Sequence, residues 1–291
     1  MQSIRGVLID VSGTVHVGEK VIPGAVQALD RLRASGIPFR FCTNTTQYSG
    51  DTLADKLRKL GFNVKREEIF TSLSACRQLV QARGLRPLLM FEPDALEEFK
   101  GIPTLEPHDS VVIGLSPSSF HYDMMNKAFR VLLETKSSST SSTGTESGAG
   151  AGGGGVPRLI AVHKAKYFAD KDQTSLSLGP GGFVESLEFA SGIKAHVVGK
   201  PQKAFFELAI QNMGLSLPAS TATKETGIVM IGDDVEQDLG GGAAELGLVR
   251  YLVQTGKYRA QDEDRDTFGG LDGVFADFSA VVEHILAESQ A

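Results

Sequence analysis

Ile228-Val229-Met230-Ile231-Gly232-Asp233-Asp234 is an apolar run that stops in a glycine and two carboxylates, with another carboxylate at Asp238. Four apolar residues with no polar alternation read as a strand buried on both faces, the mark of a parallel sheet covered by helices. Working outward, the same layout recurs. Val7-Leu8-Ile9 ends in Asp10, Phe39-Arg40-Phe41-Cys42 ends in Thr43-Asn44, and His196-Val197-Val198 ends in Gly199-Lys200-Pro201. Helical spacing falls between the runs. Pro23 to Ser35 places Ala25, Leu29 and Leu32 on one face, Asp51 to Leu60 turns Leu53, Leu57 and Leu60 inward, and Gln202–Met213 and Glu236–Leu246 follow later strands. With Val249–Val253 as a further strand, the pattern predicts an α/β fold with a doubly wound parallel sheet. Residues just past such strands line the carboxyl edge, where ligands bind.

The middle of the chain, from about Leu79 to Gly192, has its own strands at Leu88–Phe91, Val111–Gly114 and Leu159–Val162. It reads as a second α/β domain inserted into the first, with residues 1–78 and 193–291 as the core and 79–192 as the insert. Residues 137–155 are all Ser, Thr, Gly or Ala apart from Glu146, so nothing there can be buried against chain entropy. A helix-like stretch at Phe120–Leu133 precedes this tract and a strand follows it, which makes it a lengthened, flexible αβ connection inside one domain.

The 291 residues suffice for two domains or one with an insertion, and a 41% hydrophobic content supports a sizeable core. A balance of 29 Lys+Arg against 35 Asp+Glu disfavours a nucleic-acid partner held by phosphate neutralisation. No apolar stretch approaches the ~20 residues needed to span a bilayer, so no membrane is expected. The N-terminal residues lack a signal-peptide layout, and two cysteines, Cys42 and Cys76, are too few for a disulfide framework. A cytoplasmic setting is the expectation.

The residues at the strand ends define a chemistry. Oxygen ligands from Asp10 and Asp233 suit Mg²⁺, which uses one or two carboxylates plus substrate phosphate. A lysine and a hydroxyl, Lys200 and Thr43, can hold phosphoryl oxygens, and an aligned carboxylate can attack phosphorus. Each piece alone has a plainer reading. Asp after a strand is commonly a cap or turn residue, Lys200 can simply precede a helix beginning at proline, and Asp234, Glu236 and Asp238 can be an acidic first helical turn. All four in order, each directly after an apolar run, are hard to obtain by accident. Other motifs fall away: Cys42 lacks the x₅-Arg of cysteine phosphatases, no lysine sits in a P-loop, and no two histidines are spaced i, i+4.

Asp10-Val11-Ser12-Gly13-Thr14, Thr43-Asn44, Lys200-Pro201 and Gly232-Asp233-Asp234-x₃-Asp238 resemble the four motifs of the haloacid dehalogenase-like (HAD) hydrolase superfamily. The resemblance implies a Rossmann-like core with an inserted α/β cap, Asp10 as nucleophile, and Thr43 and Lys200 as phosphoryl-binding catalytic residues. It also implies Asp233 as a Mg²⁺ ligand, Asp234 and Asp238 as supports for the metal, and Asn44 as a residue orienting the substrate phosphate. Caps of this type often mediate homodimers. His163 and Lys164, after a cap strand, are candidates to face the active site, with Lys164 as a substrate contact. One position departs from the pattern: the superfamily's second aspartate, its general acid and base, is Ser12 here. Its backbone carbonyl remains a metal ligand, but a serine is a poor proton donor. The function expected is a Mg²⁺-dependent phosphatase acting on a small phosphorylated substrate through phospho-Asp10 and favouring good leaving groups. The alternative is a catalytically weak member that binds a phosphorylated ligand or a protein.

Overall fold

The computed structural model describes residues 4–139, 156–169, 175–217 and 226–289. In chain order, the first strand is β1 (Gly6–Ile9), followed by a small hairpin of β2 (His16–Val17) and β3 (Lys20–Val21). Then come α1 (Ala25–Ala34), β4 (Phe39–Thr43), α2 (Gly50–Lys59), β5 (Ile69–Thr71) and α3 (Ser72–Ala82). The middle holds β6 (Pro87–Met90), α4 (Pro93–Leu96), β7 (Ser110–Ile113), α5 (Tyr122–Ser139), β8 (Leu159–Ala161), β9 (Tyr167–Ala169), β10 (Leu176–Leu178), α6 (Gly181–Ser191) and β11 (His196–Val197). The chain closes with α7 (Lys203–Asn212), β12 (Ile228–Gly232), α8 (Gly242–Glu245), β13 (Val249–Val253), β14 (Gly273–Phe275) and α9 (Phe278–Glu288).

Two compact units result: Met1–Thr45, Gly50–Ala75 and Gly199–Ala291 form the first, and Thr46–Ser49 with Cys76–Val198 the second. The first contains a six-stranded parallel sheet in the order β14-β13-β12-β1-β4-β5. Both faces of its central strands are covered, which is why they show no polar alternation. Val7, Ile9, Phe41, Val229 and Ile231 pack with Leu29 and Leu32 of α1 and Val281 and Ile285 of α9. Phe205 of α7 instead meets Phe70 of β5, with ring centroids 5.4 Å apart. From β1 the chain builds outward through β4 and β5; it returns at β12, on the other side of β1, and builds outward through β13 and β14. The β1–β12 junction is therefore the topological switch point, where α/β sheets bind ligands.

The second unit has its own parallel sheet, ordered β11-β8-β7-β6, and an antiparallel pair, β9 with β10. Its core joins Met90, Val111, Ile113 and Leu159 to Ala128 and Leu132 of α5 and to Val184 and Leu187 of α6.

Three sequence expectations change. The strand expected at His196–Val198 in the core pairs instead with β8 of the second unit. A strand this short carries too little pattern to say which sheet it joins. The helix expected over Glu236–Leu246 is confined to Gly242–Glu245. Gly241 takes φ 45°, and a Cβ at Gly242 would lie 2.3 Å from Lys203 Cα, so residues 234–240 form a turn while the glycine packs tightly against α7. The Ser/Thr/Gly tract lies outside the described residues from 140 onward; its first residues, up to Ser139, belong to α5.

Candidate active site

Asp10 continues β1, its backbone N–H donating to Ile231 O at 2.9 Å, so the carboxylate stands at the switch point. It is 6% exposed. Lys200 Nζ lies 2.5 Å from Asp10 Oδ1, and Thr14 Oγ1 donates to Oδ2 at 3.3 Å. The same ammonium donates to Asp238 Oδ1 at 2.7 Å and to Cys42 O, at the end of β4, at 2.9 Å. All three of its protons are thus spent. Burial works against the Lys200 ammonium, but Asp10 and Asp238 outweigh it and hold its pKa above the ordinary lysine value. Lys200 remains a fixed positive charge at any physiological pH.

Asp233 follows β12 directly and is also buried. Its Oδ2 accepts Lys257 N–H at 2.6 Å, while its Oδ1 is buried with no hydrogen-bond partner. Carboxylate oxygens of Asp10, Asp233 and Asp238 lie within 4.8 Å of one another. Burial, with the Asp10 and Asp238 charges, pushes Asp233 up to about 8. Burial and Asp10 likewise push Asp238 up to about 6 even though Lys200 opposes them. Asp10 and Asp238 share the Lys200 ammonium, the Lys257 ammonium is paired with Asp234, and one buried oxygen, Asp233 Oδ1, is left unpaired. An all-oxygen donor set with this surplus of negative charge fits a hard divalent cation.

The other expected residues sort themselves differently. Thr43 is buried at the end of β4, its Oγ1 accepting Thr45 N–H at 3.3 Å. Asn44, expected at the substrate, binds the Lys200 backbone: Nδ2 donates to Lys200 O and Oδ1 accepts Lys200 N–H, both at 2.9 Å. It positions the lysine. Asp234 is not brought into the carboxylate cluster. Its Oδ1 accepts the N–H groups of Glu236 and Gln237, and its Oδ2 pairs with Lys257 Nζ at 3.0 Å. Burial would raise the Asp234 pKa, but Lys257 and those two N–H groups lower it. Ser12 is exposed, and its backbone bridges to His16. Lys164 belongs to the second unit, where its ammonium pairs with Glu185 at 2.6 Å and Glu188 at 3.1 Å.

Sequence reasoning gave no site role to Thr14 or to the turn Thr255-Gly256-Lys257. The turn carries a readable signal. It follows the run Val249–Val253 at the same carboxyl edge that singled out Asp10, Thr43 and Asp233.

Fold and site together define a hydrolase that would work with a carboxylate, a lysine and a cation-binding cluster at the switch point of a doubly wound sheet. The chain belongs to the haloacid dehalogenase-like hydrolase family: a model described as haloacid dehalogenase-like hydrolase matches residues 7–102, and one described as HAD-hydrolase-like matches residues 197–281. Haloacid dehalogenase-like hydrolase domain-containing protein 2 of Bos taurus is 46% identical over 264 residues, 91% of this chain and 89% of that protein. Phospholysine phosphohistidine inorganic pyrophosphate phosphatase of Xenopus laevis is 35% identical over 289 residues, 98% of this chain and 95% of that protein. By class this chain is a phosphatase. Among solved structures, a 4-nitrophenylphosphatase of Thermotoga maritima shares the fold with a TM-score of 0.79 at 21% identity, covering 97% of each chain. NagD of E. coli K-12 shares it with a TM-score of 0.77 at 21% identity, covering 95% of this chain and 98% of its own.

Proposed function

We propose that the enzyme hydrolyses a small phosphorylated molecule with Mg²⁺ through a phospho-Asp10 intermediate, and that it favours leaving groups that need no proton. The observation carrying this reading is the Asp10 carboxylate held by Lys200 beside the unpaired Asp233 Oδ1. Asp10, Asp233 and Asp238 would hold the cation, with the Ser12 backbone carbonyl as a further donor; bound there, Mg²⁺ would offset negative charge on the phosphoryl oxygens. An Asp10 carboxylate oxygen attacks phosphorus, forming an acyl phosphate as the bond to the leaving group breaks and takes its electron pair away. Lys200, permanently charged, balances Asp10 before attack and the phosphoryl group after it. Thr43 offers a hydroxyl at the same sheet edge. Water then cleaves the acyl phosphate and frees Asp10.

At Ser12 there is no carboxylic acid to protonate the leaving group. An alkoxide suffers most from that loss; phosphate, a phenolate or an already protonated amine suffers little. The name of the 35%-identical Xenopus laevis relative, with its P–N compounds and pyrophosphate, agrees with this preference. Free, buried thiols at Cys42 and Cys76 support a reducing, cytoplasmic setting. Among the described residues, no helix is long and apolar enough to cross a membrane.

The test is phosphate release with and without Mg²⁺ from pyrophosphate, an aryl phosphate, a phosphoramidate and a sugar phosphate. Asp10→Asn, which keeps the shape and removes the attacking anion, is expected to reduce every rate to background. Wild-type turnover in a folded Asp10→Asn protein refutes the mechanism. Ser12 also favours a second reading, a weak catalyst that binds phosphorylated ligands; Mg²⁺-dependent binding with no turnover on any of the four substrates would select it.

A further inference from the structure

The loop after β13 acts on Asp233 from a direction that the four expected motifs leave out. Thr255 Oγ1 donates to Gly13 O at 2.5 Å, and two residues on Lys257 N–H donates to Asp233 Oδ2 at 2.6 Å. Between them, Gly256 takes φ +60°, and a Cβ there would lie 2.1 Å from Asp233 Oδ2 and 2.3 Å from Gly13 Cα. A Cβ at Gly13, which takes φ +101°, would lie 1.9 Å from the same Oδ2. Two glycines therefore close on Asp233 from the loops after β1 and β13, with no room for any side chain at either. The result is asymmetric: one carboxylate oxygen is gripped by a backbone N–H, and the other, Oδ1, is buried with no partner.

We propose that Thr255-Gly256-Lys257 is a positioning element for the cation site, which fixes the Asp233 carboxylate so that Oδ1 alone is presented as a donor. This rests on the functional reading given above. A carboxylate with both oxygens free can rotate and offer either; hydrogen-bonding one of them removes that freedom before the cation arrives. Outer partners of this kind are typically worth about ten- to a hundred-fold in metal affinity. Thr255 anchors the turn by tying it to the Gly13 carbonyl, three residues beyond Asp10. The Lys257 ammonium pairs with Asp234 and reaches Asp233 only as a nearby charge, so the turn's direct contact with Asp233 is the backbone N–H.

The experiment titrates Mg²⁺ alone into the full-length metal-free protein by calorimetry, with unfolding midpoints recorded to confirm the fold. Thr255→Val keeps the shape and removes the hydroxyl; it is expected to weaken Mg²⁺ binding at least ten-fold. Thr255→Ser restores the donor and is expected to bind within three-fold of wild type. Gly256→Ala is expected to weaken binding more than Thr255→Val does, and should it fail to fold, the Thr255 pair decides. Lys257→Met keeps the backbone N–H and removes a positive charge, so binding is expected to be unchanged or tighter. A folded Thr255→Val protein that binds Mg²⁺ within two-fold of wild type overturns the proposal, as does a ten-fold loss on Lys257→Met. Wild-type protein that binds no Mg²⁺ refutes the functional reading itself, an outcome distinct from either.

Discussion

Replacing Lys200 by Met tests the electrostatics on which the site depends. The two side chains are close in length, so the change removes a charge and leaves little void. In the native protein Lys200 Nζ neutralises Asp10 at 2.5 Å and Asp238 at 2.7 Å, with both carboxylates almost wholly buried. Removing one member of a buried ion pair typically costs about 3–5 kcal/mol, because the remaining charge is stranded. Two are stranded here, which places the metal-free variant at the upper end of that range at pH 8. Protonation limits the loss: each carboxylate that takes up a proton recovers about 1.4 kcal/mol per pH unit below its folded pKa. The sign follows from the native values. Asp233 at about 8 and Asp238 at about 6 lie above the unfolded 3.8, so the folded state holds protons the unfolded chain has released. Their ionisation costs stability as pH rises from about 4 to 8. The Lys200→Met deficit is therefore expected to shrink between pH 8 and pH 5, and adding Mg²⁺ at pH 8 is expected to restore part of it. Urea unfolding of both proteins at the two pH values, with and without Mg²⁺, measures all of this. A deficit below about 1 kcal/mol at pH 8, or one that grows on acidification, refutes the reasoning.

Three further outcomes are expected. Ser12→Asp should raise sugar-phosphate turnover relative to pyrophosphate, up to the ~10²–10⁴-fold worth of a general acid; a ratio that does not move in parallel assays defeats the leaving-group argument. Arg250, buried in β13, bonds Asp266 at 2.8 Å and Leu239 O at 3.0 Å, so Arg250→Met should cost about 3–5 kcal/mol. Arg250→Met with Asp266→Leu should recover much of that in urea unfolding, and an equal loss in single and double variants would contradict the ion-pair account. Burial alone would raise the Glu188 pKa, but Ala195 N–H, Lys194 and Lys164 bring it down to about 2. The stability it contributes is present above its unfolded value of 4.5 and lost as pH falls toward 2. Glu188→Gln should flatten the acid limb of the stability curve between those values, and an unchanged limb would show that the network is silent.

What could be read from the sequence depended on whether the signal was local. The apolar runs Val7–Ile9 and Ile228–Ile231 announce buried parallel strands by themselves, and the residues after them fall at the carboxyl edge by geometry alone. Asp10 and Asp233 were legible for that reason. Lys200 reached the site by another route. The strand before it, β11, belongs to the other sheet, and Asn44, 156 residues earlier in the chain, clamps its backbone. The motif located the lysine, but nothing local in the sequence states that Asn44 is its clamp. Asp234 and Asp238 mark the same boundary more sharply. The family resemblance gave both the same expected role, support of the metal. In the turn that forms, Asp234 folds back onto the N–H groups of Glu236 and Gln237, while Asp238 alone faces Lys200. The decision lies with Gly241, which takes φ 45°, and with Gly242, which packs tightly against Lys203 of α7; together they delay the helix. Which of two carboxylates joins the site is thus settled by how closely a third element approaches, a contact absent from the spacing of the carboxylates themselves.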